Sequence, residues 1–425
     1  MVTFMQNDEI LISAFGCVTP IGNNYSQIAN NLRQGISGIK ENKKFCCEHY
    51  ITKHAGIPDE GNNEIRWPAK GKSIIGELFY AGLAAKRLKE HPLFPNNYYP
   101  DNRLGCIIGT DEPTIDFQFI LNLAKAKNVH KDLLSMMVNT FKISDCINCD
   151  PSTTLNVINK EIPFSGYAKC HLGLCSASLQ AIGMGMNAIR NGLVDAAIVG
   201  GVSGKVNPIN LMCLELIGAI SLDTRLNPTQ RSRPFDKRRS GFVLAEGGVL
   251  FLLEKKSSLL KRKEKGLLQL LGYGSSMGAQ HIVAPHTESL EMELSMQRAM
   301  QYAKVLPEQI DLVNAHGTST VLNDLHEAKA INTIFGQHVK KLKVTANKSI
   351  HGHLIAAAGA MEVLNTLISL NENFIPGTIN LEEQDETCNV NVASKTEQQP
   401  ISIVLKNSFG MGGLAASMVL KKVFN

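Results

Sequence analysis

Short apolar, β-prone segments alternate with longer helix-like segments along the whole chain. The strand-like segments are EILISAF, LGCIIG, DAAIVGG, GVLFLLE, LLQLLGYG, DLVNAHG, KVTAN, ISIVLKN and ASMVLKKV. The helix-like segments include YSQIANNLRQG, ELFYAGLAAKRLKE, SLQAIGMGMNAIRNG, SLEMELSMQRAMQYAK, LHEAKAINTIFG and LIAAAGAMEVLNTLISL, and several end at Gly or Asn. This alternation predicts an α/β fold whose helices and strands form separate layers.

Two parts of the chain echo each other. A strand followed by a Gly-containing loop opens each part, near residue 10 and near residue 270, and both Cys175 and His353 stand just before a helix rich in small residues. Because small residues allow close backbone approach, we expect both helices to run through the centre of the fold. The sequence therefore predicts two similar halves, residues 1–260 with the cysteine and residues 261–425 with the histidines.

Composition excludes several classes of protein. The 425 residues are 44% hydrophobic and 19% charged, which suits a globular protein with a large core. No export signal and no apolar stretch of about 20 residues are visible, so we expect no membrane insertion. The ten scattered cysteines then favour reduced thiols and a cytoplasmic location. A net charge of +5 is too small for a dedicated nucleic-acid binder, although it suits an acidic partner.

Cys175 is the first candidate for a reactive group. The small residues Ser176, Ala177 and Ser178 follow it, so a bulky substrate could reach a thiol at the start of this helix. A free thiol titrates near about 8.5, and the positive end of a helix dipole favours the thiolate. The competing interpretation is a buried cysteine that acts only as a small apolar residue.

Two histidines lie where predicted strands run into loops, which is where ligands bind in α/β sheets: His316 in NAHGTST and His353 in NKSIHGH. A single histidine of this kind is more often structural. Together with Cys175, however, they suit one reaction class. The thiol would form a thioester, and two neutral imidazoles would donate N–H groups to an oxygen that becomes negative.

Further polar residues accompany these motifs. Residues 407–413 (NSFGMGG) form a turn directly after a predicted strand, either a simple tight turn or one whose amides face a ligand. Asp324 and Glu327 lie near the first histidine motif. The spacing also predicts that Lys348 and Glu362 form a buried ion pair that fixes the histidine loop.

These residues resemble a known family, the elongating β-ketoacyl-acyl-carrier-protein synthases, or ketosynthases. The resemblance spans nearly the whole chain. It rests on ILISAFGCVTPIGNN, GISGIK, the Cys175 segment, LDTRLNPTQRSRPFDKRRSGFVLAEGGVLFLLE, VNAHGTSTVLND, NKSIHGHLIAAAGAMEV, IPGTINLEE and NSFGMGG. It implies the thiolase fold, a duplicated five-layered α-β-α-β-α architecture that is usually dimeric.

The resemblance also implies roles at the site. Cys175 would accept the acyl chain, and His316 and His353 would assist malonyl decarboxylation and hold the enolate. Lys348 would belong to the same site, with Glu362 as its acidic structural partner. Thr318 and Thr320 would bind the pantetheine arm. Phe409 would be a gate beside the cysteine, and its backbone amide would form the oxyanion hole together with that of Cys175.

No metal and no redox cofactor would be needed, because the substrates would arrive on the phosphopantetheine arm of an acyl carrier protein. The chain would form a homodimer, or a heterodimer with a similar subunit. Since acyl carrier proteins are acidic, Lys237, Arg238 and Arg239 become candidates for docking the carrier, although charge runs are more often only a solvated surface.

The chain departs from the family pattern at several positions. Met411 to Ala415 (MGGLA) replaces the usual FGGTN, and His351 stands where a small or hydroxylated residue is usual. Residues 111–173 fit poorly. These departures favour a specialised polyketide or polyene pathway over housekeeping fatty-acid synthesis.

Three alternatives remain open at this point. A degradative thiolase would carry a second cysteine in the C-terminal glycine-rich turn, which NSFGMGG lacks. A non-catalytic chain-length-factor subunit would commonly lack the nucleophile. A zinc-binding module would use Cys146 and Cys149 with Cys170 and His171, but this spacing is irregular for zinc.

Overall fold

The computed structural model describes residues 8–59, 76–111 and 150–424. The strands are β1 (Ile10–Val18), β2 (Ile39–Glu41), β3 (His54–Gly56), β4 (Leu104–Thr110), β5 (Ala168–Leu172), β6 (Ala196–Ser203), β7 (Gly247–Lys255), β8 (Leu268–Met277), β9 (Leu312–Asn314), β10 (Lys343–Thr345), β11 (Phe374–Ile375), β12 (Glu397–Gln398), β13 (Ile403–Gly410) and β14 (Leu414–Lys421). The helices are α1 (Tyr25–Gln34), α2 (Gly76–Lys89), α3 (Thr153–Glu161), α4 (Ala177–Arg190), α5 (Pro208–Leu216), α6 (Lys256–Lys261), α7 (Leu290–Ala303), α8 (Val321–Phe335), α9 (Lys348–His351) and α10 (Ala358–Glu372).

Ten of the described strands form one sheet in the order β10-β9-β13-β14-β8-β1-β7-β6-β4-β5. The sheet consists of two sets of five strands, and numbering each set along the chain gives the order 3-2-4-5-1 in both. The directions also match, because the first three positions are parallel and the last two strands are antiparallel to their neighbours. A short antiparallel pairing of Ile10–Ile12 with Leu268–Leu270 joins the sets. The predicted pair of similar halves is therefore confirmed.

The helices divide into outer and central layers. Helix α2 packs on β1 and β7 at one face, whereas α7 packs on β8 and β14 at the other and contacts α8. Helices α4 and α10 contact each other and also contact strands of both sets, so they lie between the two halves of the sheet. The order of layers is α-β-α-β-α, as predicted. The boundary after residue 260 stays a prediction; it would fall within α6, between β7 and β8.

The central helices approach their neighbours closely because they lack bulky side chains at the contacts. A Cβ on Gly185 of α4 would lie 2.2 Å from Val199 Cγ1, and one on Gly359 of α10 would lie 2.8 Å from Leu179 Cβ. Most residues of both helices are buried. The expectation that small residues allow these two helices to pass through the centre is confirmed.

All nine predicted strands and all six predicted helices are present. Among the ten strands of the large sheet, β5, with the sequence AKCHL, was the one not predicted; the short strands of the two small sheets were not predicted either. Strand β5 lies at the edge of the large sheet, and three of its five residues are exposed, so it lacks the apolar pattern by which buried strands are found. Cys146 and Cys149 lie outside the described residues, as does most of the segment that departs from the family pattern. Within the described ranges, no helix is long and apolar enough to span a bilayer.

Candidate active site

Cys175 lies in a tight turn between β5 and α4. Residues Leu174–Ser176 form a single 3-10 turn that leads into α4, and the Cys175 side chain is buried. Leu174 has a φ of 50°, in the left-handed region that a branched residue rarely adopts. The backbone at the candidate nucleophile is thus locally strained, a feature that clusters at functional sites.

His353 lies in the connection of the second half that corresponds to the one holding Cys175. It follows α9 and precedes a 3-10 turn, Ile355–Ala357, that leads into α10, and Ile355 has a φ of 43°. The His353 backbone is fixed by hydrogen bonds with Val243 O and with the N–H of Ala245. At both centres a 3-10 turn whose first residue is left-handed leads into a buried helix, so the echo between the halves is also present in the backbone. Cys175 lies within its turn, and His353 lies just before its own.

His316 follows β9, and a buried carboxylate holds its loop. Glu327 of α8 accepts hydrogen bonds from the backbone N–H groups of His316 and Gly317, each at 2.8 Å. Asp324, one turn earlier on α8, accepts bonds from the backbone N–H groups of Ser319 and Phe235. Both acidic residues thus hold the histidine loop in place. The sequence showed that they lie near the motif but did not indicate this role.

The three candidate reactive groups converge. The Sγ atom of Cys175 and one ring nitrogen each of His316 and His353 all lie within 4.8 Å of one another. The two imidazole rings meet edge to face, with centroids 5.4 Å apart. All three residues line one cavity of about 620 Å³. A thioester on Cys175 would therefore place its reacting carbon within reach of both imidazoles.

Hydrogen bonds fix which nitrogen of each imidazole carries the proton. His353 Nδ1 accepts a bond from the backbone N–H of Ile355 at 3.1 Å, so its proton is on Nε2. His316 Nδ1 lies 3.1 Å from Lys348 Nζ, and because an ammonium group can only donate, this ring also carries its proton on Nε2. His353 Nε2 is buried and has no partner among the described residues. It is a donor without an acceptor at the centre of the site.

Both imidazoles are neutral at physiological pH. Burial, assisted by the nearby Lys348 charge, holds the pKa of His316 and that of His353 well below the ordinary value. A neutral ring that is protonated on Nε2 donates one hydrogen bond and can do so throughout the neutral pH range. The predicted use of neutral imidazoles as N–H donors therefore agrees with the geometry.

Lys348 and Glu362 form the buried ion pair that the spacing predicted, with a separation of 2.6 Å. Lys348 also donates to the backbone oxygen of His316. A second fully buried lysine, Lys406 of β13, pairs with the other oxygen of Glu362 at 2.7 Å. Burial lowers the pKa of Lys406 to about 8, against the raising effect of Glu362. Burial alone would raise the pKa of Glu362, but the two ammonium groups hold it below its ordinary value.

Lys406 was missed in the sequence analysis. The sequence feature that could have revealed it is a single lysine within the mainly apolar strand ISIVLKNSFG. A buried charge is expected there only if it is paired. In the structure its ammonium group also lies near the carbonyl oxygens of Asn314 and Ala315, at 3.5 and 3.4 Å. Lys406 therefore connects β13 to the histidine loop through Glu362 and the backbone.

The other predicted site residues also surround the cavity. Thr318 and Thr320 line it, and their hydroxyls are 2.8 Å apart. Phe409, at the end of β13, lines it too, and its ring centroid is 5.9 Å from that of His316. Met411, in the turn that departs from the family pattern, is a further lining residue.

One predicted docking residue is corrected by the structure. Arg239 is buried and forms ion pairs with Asp385 and Asp324, so it cannot contact a carrier protein. Lys237 and Arg238 are about half exposed, and they pair with Glu383 and Glu382 respectively. Much of the charge that made this run a docking candidate is therefore balanced within the chain.

The cysteine and the two histidines are also, within the described ranges, the group whose donor atoms could hold a metal ion. The ammonium groups of Lys348 and Lys406 are close enough to depress the pKa of both imidazoles, and they would equally oppose a bound cation. Of the four residues weighed as a zinc site, the two that the structure describes have other partners: Cys170 Sγ lies 3.0 Å from Pro151 O, and His171 pairs with Gln180.

Two family models match this chain. The model described as beta-ketoacyl synthase, N-terminal domain, matches residues 81–258, and that for the C-terminal domain matches residues 267–382. The 3-oxoacyl-[acyl-carrier-protein] synthase 2 of Coxiella burnetii (strain RSA 493 / Nine Mile phase I) is 29% identical over 427 residues, which cover 99% of this chain and 100% of the relative. The protein of the same name from Synechocystis sp. (strain ATCC 27184 / PCC 6803 / Kazusa) is 28% identical and covers 98% and 99%.

Solved structures agree in fold. The ishigamide ketosynthase/chain length factor has a TM-score of 0.86 at 26% identity, covering 98% of this chain and 100% of that one. The complex of a type II PKS acyl-carrier protein with its ketosynthase contains a chain with a TM-score of 0.88 at 24% identity, covering 99% and 100%; at that identity the likeness concerns the fold alone. The predicted thiolase fold is confirmed.

Proposed function

Since the chain belongs to the β-ketoacyl synthase family, we propose that it catalyses decarboxylative condensation between an acyl chain carried on Cys175 and a malonyl group on an acyl carrier protein. The observation that carries this proposal is the convergence of a thiol and two N–H-donating imidazoles on one cavity. The relatives named above are 3-oxoacyl-[acyl-carrier-protein] synthases, and they match the chain over nearly its full length.

The first step of the cycle is acyl transfer. The Cys175 thiolate attacks the thioester carbon of an acyl carrier, the carbonyl oxygen becomes negative, and collapse of the intermediate expels the carrier thiolate, which takes up a proton. Backbone amides of Cys175 and Phe409 are the proposed donors to that oxygen. The acyl chain is then attached to Cys175, and the carrier leaves.

Condensation follows when a malonyl carrier enters. The bond between the malonyl carboxylate and its α-carbon breaks, carbon dioxide leaves, and the electron pair forms an enolate. His353 and His316 donate hydrogen bonds from their Nε2–H groups to the enolate oxygen, which stabilises the developing charge where both rings are buried. The α-carbon then attacks the Cys175 thioester, and the Cys175 thiolate is released as the β-ketoacyl carrier forms.

Lys348, Glu362 and Lys406 hold this arrangement in place. The Lys348 ammonium group donates to His316 Nδ1 and thereby keeps the His316 proton on Nε2. Glu362, between two buried lysines, fixes Lys348 in turn. This network determines the orientation of one imidazole and its proton, so its members are positioning residues.

The proposed partner is an acyl carrier protein, whose phosphopantetheine arm would enter past Thr318 and Thr320. Exposed apolar side chains flank the cavity at Ile217, Val283 and Val321, so we expect carrier contacts there to be partly apolar. The chain needs no cofactor of its own for this chemistry. A location in the cytoplasm and a role in a specialised polyketide or polyene pathway, with fatty-acid synthesis as the alternative, remain part of the proposal.

Intact-mass spectrometry after incubation with a panel of acyl carriers tests the proposal. We expect a thioester adduct on the wild-type protein and none on Cys175→Ala. With malonyl carrier added, the wild-type adduct should disappear and carbon dioxide should be released. His353→Ala is expected to keep the adduct but to lose condensation, because His353 acts on the enolate and not on acyl transfer.

The alternative is a non-catalytic partner subunit, and one of the similar structures is named as a ketosynthase/chain length factor. The presence of Cys175 within 4.8 Å of both histidines argues for the catalytic role. Failure of every acyl carrier in the panel to modify Cys175 would favour the partner subunit instead.

A further inference from the structure

A chain of hydrogen bonds leads from the edge strand β5 to the turn that holds Cys175. His171 Nε2 of β5 lies 2.9 Å from Gln180 Oε1 of α4. Gln180 Nε2 donates to Ser176 Oγ at 2.8 Å, and Ser176 Oγ donates to Gly173 O at 2.8 Å. Neither the resemblance nor the proposed mechanism gives His171 a role.

The direction of every bond in this chain is determined. Gly173 O can only accept, so the Ser176 hydroxyl must donate to it and must accept from Gln180. The Gln180 amide therefore presents its nitrogen to Ser176 and its oxygen to His171, which in turn must donate from Nε2. Rotating the amide by half a turn would leave Gly173 O facing a hydroxyl with no proton to offer. Bonds that all point the same way strengthen one another.

The chain of bonds ends on the strained part of the backbone. Gly173 O accepts both from Ser176 Oγ and from the Ser176 backbone N–H, at 2.8 and 3.1 Å, and these two bonds close the turn around Leu174 and Cys175. Leu174 is the residue with a φ of 50°. A non-glycine residue in that region persists only where its surroundings impose it. The doubled bond to Gly173 is such a restraint.

Packing at Gly173 supports a specific fit. A Cβ at this position would lie 2.8 Å from His171 Nε2 and 3.1 Å from Ala177 Cα, so the glycine is what allows the imidazole to approach the turn. The ring thus packs against the backbone that it also restrains through Gln180.

We propose that His171 and Gln180 are positioning residues for Cys175, which hold the nucleophile's turn through Ser176 and Gly173. The inference rests on the proposed function of Cys175 as the acyl acceptor and adds the residues that set its orientation. Neither His171 nor Gln180 is among the residues that line the cavity. Their loss should therefore slow reactions at the thiol without weakening binding of the carrier.

The test uses Gln180→Leu, which removes both side-chain bonds at similar size, and His171→Phe, which keeps a ring but removes the donor. His171→Gln is the conservative variant, because its amide can donate from nearly the same point as Nε2. Lys169→Ala, an exposed position on the same strand, is the matched control. Each variant's rate of Cys175 alkylation by iodoacetamide is followed across pH, with the modified residue identified by mass spectrometry.

We expect Gln180→Leu and His171→Phe to react about tenfold more slowly, the factor for one hydrogen bond of ordinary strength. His171→Gln and Lys169→Ala should react like wild type. In turnover, kcat should fall while KM for the acyl carrier is unchanged. Wild-type alkylation rates in both Gln180→Leu and His171→Phe would overturn the inference, as would failure of His171→Gln to restore a rate lost in His171→Phe.

Alkylation needs no acyl carrier, so this test is independent of the proposed function. Absence of acylation in the wild-type protein would count against the condensing activity, whereas unchanged alkylation in the variants would count against the positioning role alone. Should Gln180→Leu fail to fold, the comparison of His171→Phe with His171→Gln decides the question.

Discussion

Beside the candidate reactive groups, His351 is the residue at which this chain departs most visibly from the family pattern. Its side chain is fully buried next to Glu362 and Lys348, its Nδ1 donates to Gly352 O at 2.7 Å, and its Nε2 has no partner among the described residues. Burial lowers the pKa of His351 from 6.5 to about 4, with Lys348 and Lys406 acting in the same direction and Glu362 opposing. A protonated ring is therefore strongly disfavoured in the folded state.

This shift predicts a pH dependence of stability. Between about pH 4 and pH 6.5 the unfolded chain binds a proton at His351 that the folded chain does not, so the contribution is fully present above pH 6.5 and is lost as the pH falls to about 4. The size is roughly 3 kcal/mol. We expect His351→Ser to flatten the curve of unfolding free energy against pH in this window, measured by urea denaturation.

Other histidines require a control for that measurement. His316 and His353 shift in the same direction, so the wild-type and variant proteins should both lose stability in acid, and only the difference in slope reports on His351. His49→Ser, at an exposed position, should leave the slope unchanged. Equal slopes for wild type and His351→Ser would contradict the prediction, whatever the difference in absolute stability.

At the same scale, the sequence identified the three groups that converge on the cavity but not all of those that hold them. Cys175, His316 and His353 were found because a thiol or imidazole between a predicted strand and a small-residue helix is recognisable locally. The Lys348–Glu362 pair followed from spacing. Lys406 was not found, because its partner Glu362 lies 44 residues earlier and meets it only when β13 packs against α10. The misassigned docking role of Arg239 has the same origin, since its acidic partners come from distant segments.

The central helices provide the prediction at the scale of elements. Gly185 of α4 faces β6, where a Cβ would overlap Val199 Cγ1 at 2.2 Å, and Val199 is fully buried. Gly185→Ala should therefore destabilise the protein by about 2 kcal/mol, because overpacking at a buried contact outweighs the gain of about 1 kcal/mol in helix propensity. The measurement is the urea midpoint at pH 7.

Gly82→Ala in α2 is the matched control for that substitution. It lies within a helix too, but its new Cβ would have a single close neighbour, Val157 Cγ1, at 3.1 Å. The smaller overlap and the propensity gain should leave stability nearly unchanged. If Gly185→Ala were as stable as Gly82→Ala, close packing of the central helix would not be the reason for its small residues.

Elements with a strong apolar pattern were predictable, and the edge strand β5 was not. The buried strands and long helices are recognisable in the sequence because burial on one or both faces requires apolar residues at regular positions. Strand β5 is placed by pairing with β4, a tertiary contact that leaves little trace in AKCHL. The hydrogen-bond chain from His171 to Gly173 could not be foreseen for that reason.

At the scale of the whole molecule, the two halves differ in whether the outer side of the edge strand is covered by another segment. The edge strand β10 of the second half is covered by the segment at residues 391–393, because Val344 N–H donates to Asn391 O and Ala393 N–H donates to Val344 O. Strand β5, at the equivalent position of the first half, pairs with β4 on one side, and no described strand pairs with its other side. The side chains of Tyr167, just before β5, and of Leu172, its last residue, are 42% and 47% exposed.

An open strand edge with exposed apolar side chains can pair with a second chain, because its backbone N–H and C=O groups are available. We therefore predict that β5 lies at a subunit interface. Light scattering coupled to gel filtration should give twice the chain mass of 46.4 kDa at micromolar concentration. Leu172→Asp should shift the protein towards monomer, because a charge buried at the interface without a partner is costly. Leu306→Asp, at a position 65% exposed in the second half, should remain dimeric. A monomeric wild-type protein, or a Leu172→Asp variant that dimerises with unchanged affinity, would contradict this placement of the interface. The turn of Cys175, three residues after Leu172, would then be held by its own chain alone.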